Sequence, residues 1–265
     1  MDILSIFILS LLQGFTEFLP VSSSAHLILF SELFGNSNQD ITVDVFAHFG
    51  TLLAVIWYFR EELKGVFKTY KFYEINNLGN CLIFSTLPIL FVGFISRDFI
   101  EASLRTQNVI IFSMIFFGVL LLIFEYFKGK KTLNDLNWKD SIIIGFFQVF
   151  ALIPGASRSA VVIMGAMYLG YRARDALKVS FLLAVPTLSM IFLGENIILG
   201  FRYNINFFEL ISVTFFSFLT ALLTIHFFLN LIDRIGLMPF VIYRFILAGI
   251  LSVSYTHLRA HETYP

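Results

Sequence analysis

Residues 17–26 read Glu17-Phe-Leu-Pro-Val-Ser-Ser-Ser-Ala-His26, and residues 154–159 read Pro154-Gly-Ala-Ser-Arg-Ser159. Each polar string interrupts an apolar region, 3–34 and 141–170, leaving arms of about 12 to 16 residues on either side. A helix needs about 20 apolar residues to cross a bilayer, so arms this short read as re-entrant hairpins whose tips turn inside the membrane. Six uninterrupted segments, 44–59, 80–96, 108–127, 179–193, 205–230 and 237–253, come close to a full crossing. The expected fold is therefore an all-α integral membrane protein with about six transmembrane helices and two re-entrant hairpins.

Composition agrees. Of 265 residues, 58% are hydrophobic and 14% charged, and the mean hydropathy is +0.84. Soluble domains carry about 25% charged residues. The apolar runs are too long and too continuous for a transmembrane β-barrel, which alternates in segments of about ten residues. Basic and acidic residues balance at 18 each, which gives no footprint for nucleic acid. The single cysteine, Cys81, excludes an intramolecular disulfide and a cysteine-cluster zinc site.

Positive charge orients the chain. Arg60, Lys64, Lys68 and Lys71 place 60–79 inside, as Lys128, Lys130, Lys131 and Lys139 place 128–140. The linker 97–107 pairs Arg97 and Arg105 with Asp98 and Glu101 and falls outside. Arg172, Arg174 and Lys178 bring the chain inside again, so the second hairpin starts and ends on the inner face. The first opens outside.

An offset of 135 residues sets Gln13 on Gln148, Phe15 on Phe150, Ser22 on Ser157, Ser24 on Ser159, Ala25 on Ala160 and Ile28 on Ile163. Together with the opposite openings, this predicts inverted repeats, about 1–127 and 136–253, in a single membrane domain 1–253. Such repeats meet near the bilayer midplane, where broken helices build binding sites. The tips are expected to meet there and bring Glu17, Ser23 and His26 near Arg158. The repeat also predicts a last span near 243–262, but the aliphatic run stops at Val253. Residues 254–265 are expected to be a non-native or disordered tail, and His257 and His261 are set aside from the site.

Ionisable residues inside a span cost a few kcal/mol each and mark function. Gln13 and Glu17, four apart, share one helix face. Pro20 breaks that helix, and Ser22, Ser23 and Ser24 lie at the N-terminal end of the next, where free N–H groups suit an anion. The second tip repeats the plan, with Gly155 at the break, Ser157 and Ser159 to cap or donate, and Arg158 to fork onto phosphate or carboxylate oxygens. Ser23 with His26 offers nucleophile and base for phosphoryl or acyl transfer. Taken singly, Ser22 and Ser24 read first as helix caps. Glu17 has a structural reading as the ion partner of Arg158. His48 reads as structural or supporting, His226 as an interhelical hydrogen-bonder, and Arg244 has no partner legible in the sequence.

At these residues the sequence resembles the undecaprenyl-diphosphate phosphatase family, also called bacitracin-resistance proteins. Gln13 through His26 match its first motif, Pro154 through Ser159 its second, and Ser180–Pro186 and Tyr243-Arg244 look like its later blocks. The resemblance covers nearly the whole chain to about residue 252. It implies hydrolysis of undecaprenyl diphosphate to the monophosphate carrier and inorganic phosphate, serving cell-wall synthesis and bacitracin resistance. It implies Ser23 as nucleophile, His26 as acid/base, and Arg158 on the pyrophosphate. Glu17 with Gln13 would position a divalent cation, Mg2+ or Ca2+, or a water, although Gln13 leaves one carboxylate where two are frequent. Ser22, Ser24, Ser157, Ser159 and Gly155 are the expected substrate-binding residues. The expected partners are the polyprenyl diphosphate lipid, the bilayer and, as an open expectation, a second copy of the chain in a homodimer. The family's site faces the outer side of the bacterial cytoplasmic (inner) membrane, as does the first hairpin. The alternative from another class is a transporter or flippase of a polyprenyl phosphate lipid, which needs anion donors but no nucleophile–base pair.

Overall fold

The computed structural model describes residues 3–34, 41–71, 73–127, 129–199 and 206–262. Helices account for nearly all of it. The first interrupted region forms α1 (Ile3–Thr16) and α2 (Ser23–Phe34). With a rise of about 1.5 Å per residue, neither reaches across a hydrocarbon core about 30 Å thick. The second forms α7 (Trp138–Val149), a 3₁₀ turn (Phe150–Leu152) and α8 (Arg158–Tyr168). Both are hairpins of short arms, as the broken apolar runs require.

The helices α3 (Ile41–Tyr58), α5 (Leu78–Phe99, continued as a π turn to Leu104), α6 (Gln107–Glu125), α9 (Ala173–Leu199) and α10 (Phe207–Ile235) contain the segments long and apolar enough to span. The sixth expected span is the apolar part, Met238–Ser254, of α11 (Met238–Glu262), a helix that takes in residues 254–262 of the expected tail. Phe94, Phe112, Phe208 and Phe227 are among the large apolar side chains exposed on the outside, which is where lipid tails would lie. The chain is a multi-pass membrane protein.

Polar caps mark the boundaries. Asn77, Asn137 and Asn206 each accept a backbone N–H at the start of α5, α7 and α10. Pro88 and Pro186 lie inside α5 and α9, tolerated in a membrane because neighbouring groups satisfy the freed carbonyls. At Gly50, α3 presses on α10 so closely that a Cβ there would collide with the Thr214 carbonyl and lie 2.9 Å from Ser217 Cβ.

A short amphipathic helix, α4 (Arg60–Thr69), occupies the first basic linker. Across the same face, the linker before α7 is pinned to the turn after α8. Lys131 N–H donates to Gly170 O at 2.9 Å, and Arg172 N–H donates to Lys131 O at 3.0 Å. Asp140 accepts from Lys131 Nζ and from Tyr171 O–H, both at 2.8 Å. The two ends of the second hairpin thus lie together, as expected for a segment that starts and ends on one side.

Candidate active site

Two residues other than glycine, Ser22 (φ 77°) and Ser157 (φ 71°), adopt a left-handed backbone among the described residues, and they are 135 positions apart. Such a conformation costs about 1–3 kcal/mol and persists only where the surroundings fix it. Each turns its tip into the next helix. Ser22 and Ser24 share a hydroxyl hydrogen bond of 3.1 Å, and Ser157 and Ser159 share one of 3.0 Å. The tips then cross: Ser159 Oγ donates to Leu19 O at 2.8 Å, and Gly155 N–H donates to Ser24 Oγ at 3.4 Å. Gly155 has φ +92°, and a Cβ on it would run into Ser113 Oγ and the Ile110 carbonyl.

Glu17 and Arg158 face each other across this crossing. Arg158 Nη2 donates to Glu17 Oε1 at 2.7 Å, while Nη1 donates to Ser180 O at 3.1 Å. Gln13 Nε2 donates to Glu17 Oε2 at 2.9 Å, and His48 Nε2 lies 3.6 Å from that same oxygen. Gln13 is fully buried and its Oε1 is without a partner. Among the described residues no three His, Cys, Asp or Glu side chains cluster as metal ligands, so a cation here would find one carboxylate, Glu17, with amide and imidazole atoms beside it.

Behind the crossing lies Arg244, buried completely. Its guanidinium donates to Met114 O (3.1 Å), Pro20 O (3.3 Å), Ala156 O (3.1 Å) and Gly155 O (2.8 Å). One side chain of α11 therefore ties both tips to α6.

The sequence model described as Bacitracin resistance protein BacA matches residues 6–250. The chain belongs to that family. It is 42% identical to undecaprenyl-diphosphatase 1 of Pseudoalteromonas translucida, over 97% of this chain and 100% of the relative. It is 41% identical to the undecaprenyl-diphosphatase of Marinobacter nauticus, over 95% and 98%. A third such enzyme, from Aliivibrio salmonicida, is 42% identical over 91% and 94%.

In this BacA family member, the expected meeting of Glu17 with Arg158 is a direct ion pair. The other expected neighbours divide. Ser23, Ser24 and Ser157 are half-buried, and the Ser23 hydroxyl makes no hydrogen bond among the described residues. Ser22, Ser159 and Gly155 are buried in the joint between the tips, where their polar groups hold tip to tip. His26 is not bonded to Ser23. Its Nδ1 lies 2.7 Å from Ser22 O, which can only accept, so Nδ1 carries the proton. Its Nε2 lies 2.7 Å from Tyr243 O–H, and the two rings stack within 7° of parallel.

Two residues carry more than the sequence shows: Tyr243, which meets His26, and Arg244, whose partners are backbone carbonyls, which carry no sequence signal. His48, which reads as structural or supporting, lies 3.6 Å from Glu17 Oε2. His226 corrects in the other direction: it bonds Asn230 on its own helix, 3.3 Å away on an exposed face, and bridges no helices through that contact.

Proposed function

We propose that this chain hydrolyses undecaprenyl diphosphate to undecaprenyl phosphate and inorganic phosphate at the crossing of the two hairpin tips. The observation that carries the reading is the Glu17–Arg158 pair at 2.7 Å, formed where the two serine-rich tips cross. A diphosphate offers more negative charge than one carboxylate, so Arg158 has a better partner when the substrate arrives. The N-terminal ends of α2 and α8 add partial positive charge beside it.

In the proposed step, the bond from the terminal phosphorus to the bridging oxygen breaks as an oxygen attacks in line. That oxygen comes from a water directly or from Ser23, whose phosphoester a water then cleaves to release inorganic phosphate; in either case undecaprenyl phosphate leaves on the bridging oxygen. His26 is the proton carrier: with Nδ1–H fixed on Ser22 O, its Nε2 lone pair is the basic position, and Tyr243 O–H occupies it until substrate binds. Arg158 neutralises the charge on the equatorial oxygens and steers the terminal phosphate. Glu17 Oε2 and the orphaned Gln13 Oε1 are two oxygens on one helix face that would hold a divalent cation, the rest of its shell coming from diphosphate and water. Bound there, such a cation supplies further charge neutralisation.

With the orientation set by the basic linkers, the cleft opens to the outer side of the cytoplasmic membrane, where the carrier is returned to cell-wall synthesis and bacitracin resistance arises. The hydrolase names of the relatives do not support the transporter alternative. Phosphate release from undecaprenyl or shorter prenyl diphosphate by purified protein in detergent is the test, with and without EDTA and beside Ser23→Ala. Release that EDTA blocks and the variant lacks is expected. Release unchanged in Ser23→Ala would remove that residue from the step, and no release from folded protein would remove the phosphatase.

A further inference from the structure

His48 sits on α3, across from the face of α1 that carries Gln13, with Glu17 one residue past the end of that helix. Its Nδ1 lies 2.8 Å from Asp44 O, an atom that only accepts, so Nδ1 carries the proton. In the neutral ring the Nε2 lone pair then faces Glu17 Oε2 at 3.6 Å. Two electron-pair donors turned on each other repel, and a proton on Nε2 or a metal cation between them removes the conflict. A third acceptor, Gln13 Oε1, is buried without a partner one amide away, since Gln13 Nε2 is 2.9 Å from the same Oε2. Half a turn of that amide exchanges its nitrogen for its oxygen with no change of shape.

We infer that Glu17 Oε2, Gln13 Oε1 and His48 Nε2 form a nitrogen–oxygen site that takes Mn2+ in preference to Ca2+. Bonds of about 2.1 Å to atoms spaced like this nitrogen and oxygen give an angle near about 120°, within the range of ordinary coordination. The Nδ1–H bond to a backbone carbonyl is the outer support that metal-bound imidazoles usually carry. Glu17 Oε1 stays on Arg158, so the carboxylate joins cation and guanidinium, and both face the diphosphate. Imidazole suits transition ions, whereas Ca2+ is served by sets made of oxygen alone. The inference rests on the cation reading proposed above, but its test reads binding and not turnover.

Mn2+ is titrated into the purified full-length protein in detergent and followed by pulsed EPR and equilibrium dialysis. We expect nitrogen modulation from bound Mn2+ that His48→Gln erases and His26→Gln retains. Mn2+ affinity should fall about tenfold or more in His48→Gln, with Ca2+ affinity held within about twofold. Bound Mn2+ without nitrogen modulation, modulation that survives His48→Gln, or folded protein that binds no Mn2+ would each overturn the site. Phosphate release from the same samples separates the two ideas. Turnover without nitrogen coupling removes the imidazole ligand and keeps the phosphatase; coupling without turnover keeps the ligand and removes the phosphatase.

Discussion

Arg158 divides its guanidinium between Glu17 and the Ser180 carbonyl, and both contacts are nearly shielded from solvent. Arg158→Ala therefore acts twice. It leaves the Glu17 carboxylate buried with only Gln13 and His48 beside it, and it removes the group that holds the transferring phosphate. Turnover is expected to fall by about a hundredfold or more, as when a preorganised transition-state donor is lost, and substrate binding should weaken as well. Near-normal phosphate release would detach Arg158 from the site. Tyr243→Phe is milder, since it removes one hydroxyl from His26 Nε2 and keeps the ring stack. A hydrogen bond of this kind is worth about 1 kcal/mol net, so kcat should shift several-fold with KM little changed. Equal kcat in the variant would make the contact one of packing. Glu17 and Arg158 were legible in the sequence because charge inside an apolar run is costly wherever the chain folds. His48 was legible only as structural or supporting, because its approach to Glu17 depends on how α3 packs against α1.

Hairpin arms were legible for a related reason: in lipid, the length of an apolar run is itself a geometric constraint, and runs broken at Pro20 and at Pro154-Gly155 are too short to cross. What the sequence did not carry is how the tips are locked. Their lock is made of carbonyl oxygens and of two left-handed serines, and it converges on Arg244 of α11. Lysine at position 244 has fewer donors on a single nitrogen and cannot span carbonyls on α6 and both tips. Arg244→Lys should lose about 1–3 kcal/mol for each buried carbonyl left unsatisfied, read as a lower unfolding temperature in detergent, together with a loss of turnover. An unchanged midpoint would mean that the tips hold without the clamp. On the inner face, burial and the Asp140 carboxylate push the Tyr171 phenol far above its ordinary value. Its folded value lies above its unfolded one, so its contribution is complete below about pH 10 and is lost as pH rises from there toward the folded value. Comparing wild type with Tyr171→Phe should show an alkaline fall in stability that the variant lacks. Parallel pH curves would exclude it.

At the scale of the whole molecule, the inverted arrangement and the outward cleft stand or fall with orientation. The chain brings its own control, because its one cysteine, Cys81, is buried in the core. Lys64, on α4, and Arg105, before α6, are both exposed and lie at opposite ends of α5. A helix of that length separates them by about the thickness of the hydrocarbon core. The positive-inside rule puts Lys64 in the cytoplasm, in a linker with four basic residues, and Arg105 outside, in a linker whose charges cancel. A membrane-impermeant maleimide added to intact cells should label Arg105→Cys and leave Lys64→Cys unlabelled until the cells are permeabilised. The reverse pattern would turn the first hairpin inward. It would place the Glu17–Arg158 cleft on the cytoplasmic side, where an enzyme acting on carrier lipid released outside could not reach it without a flipping step.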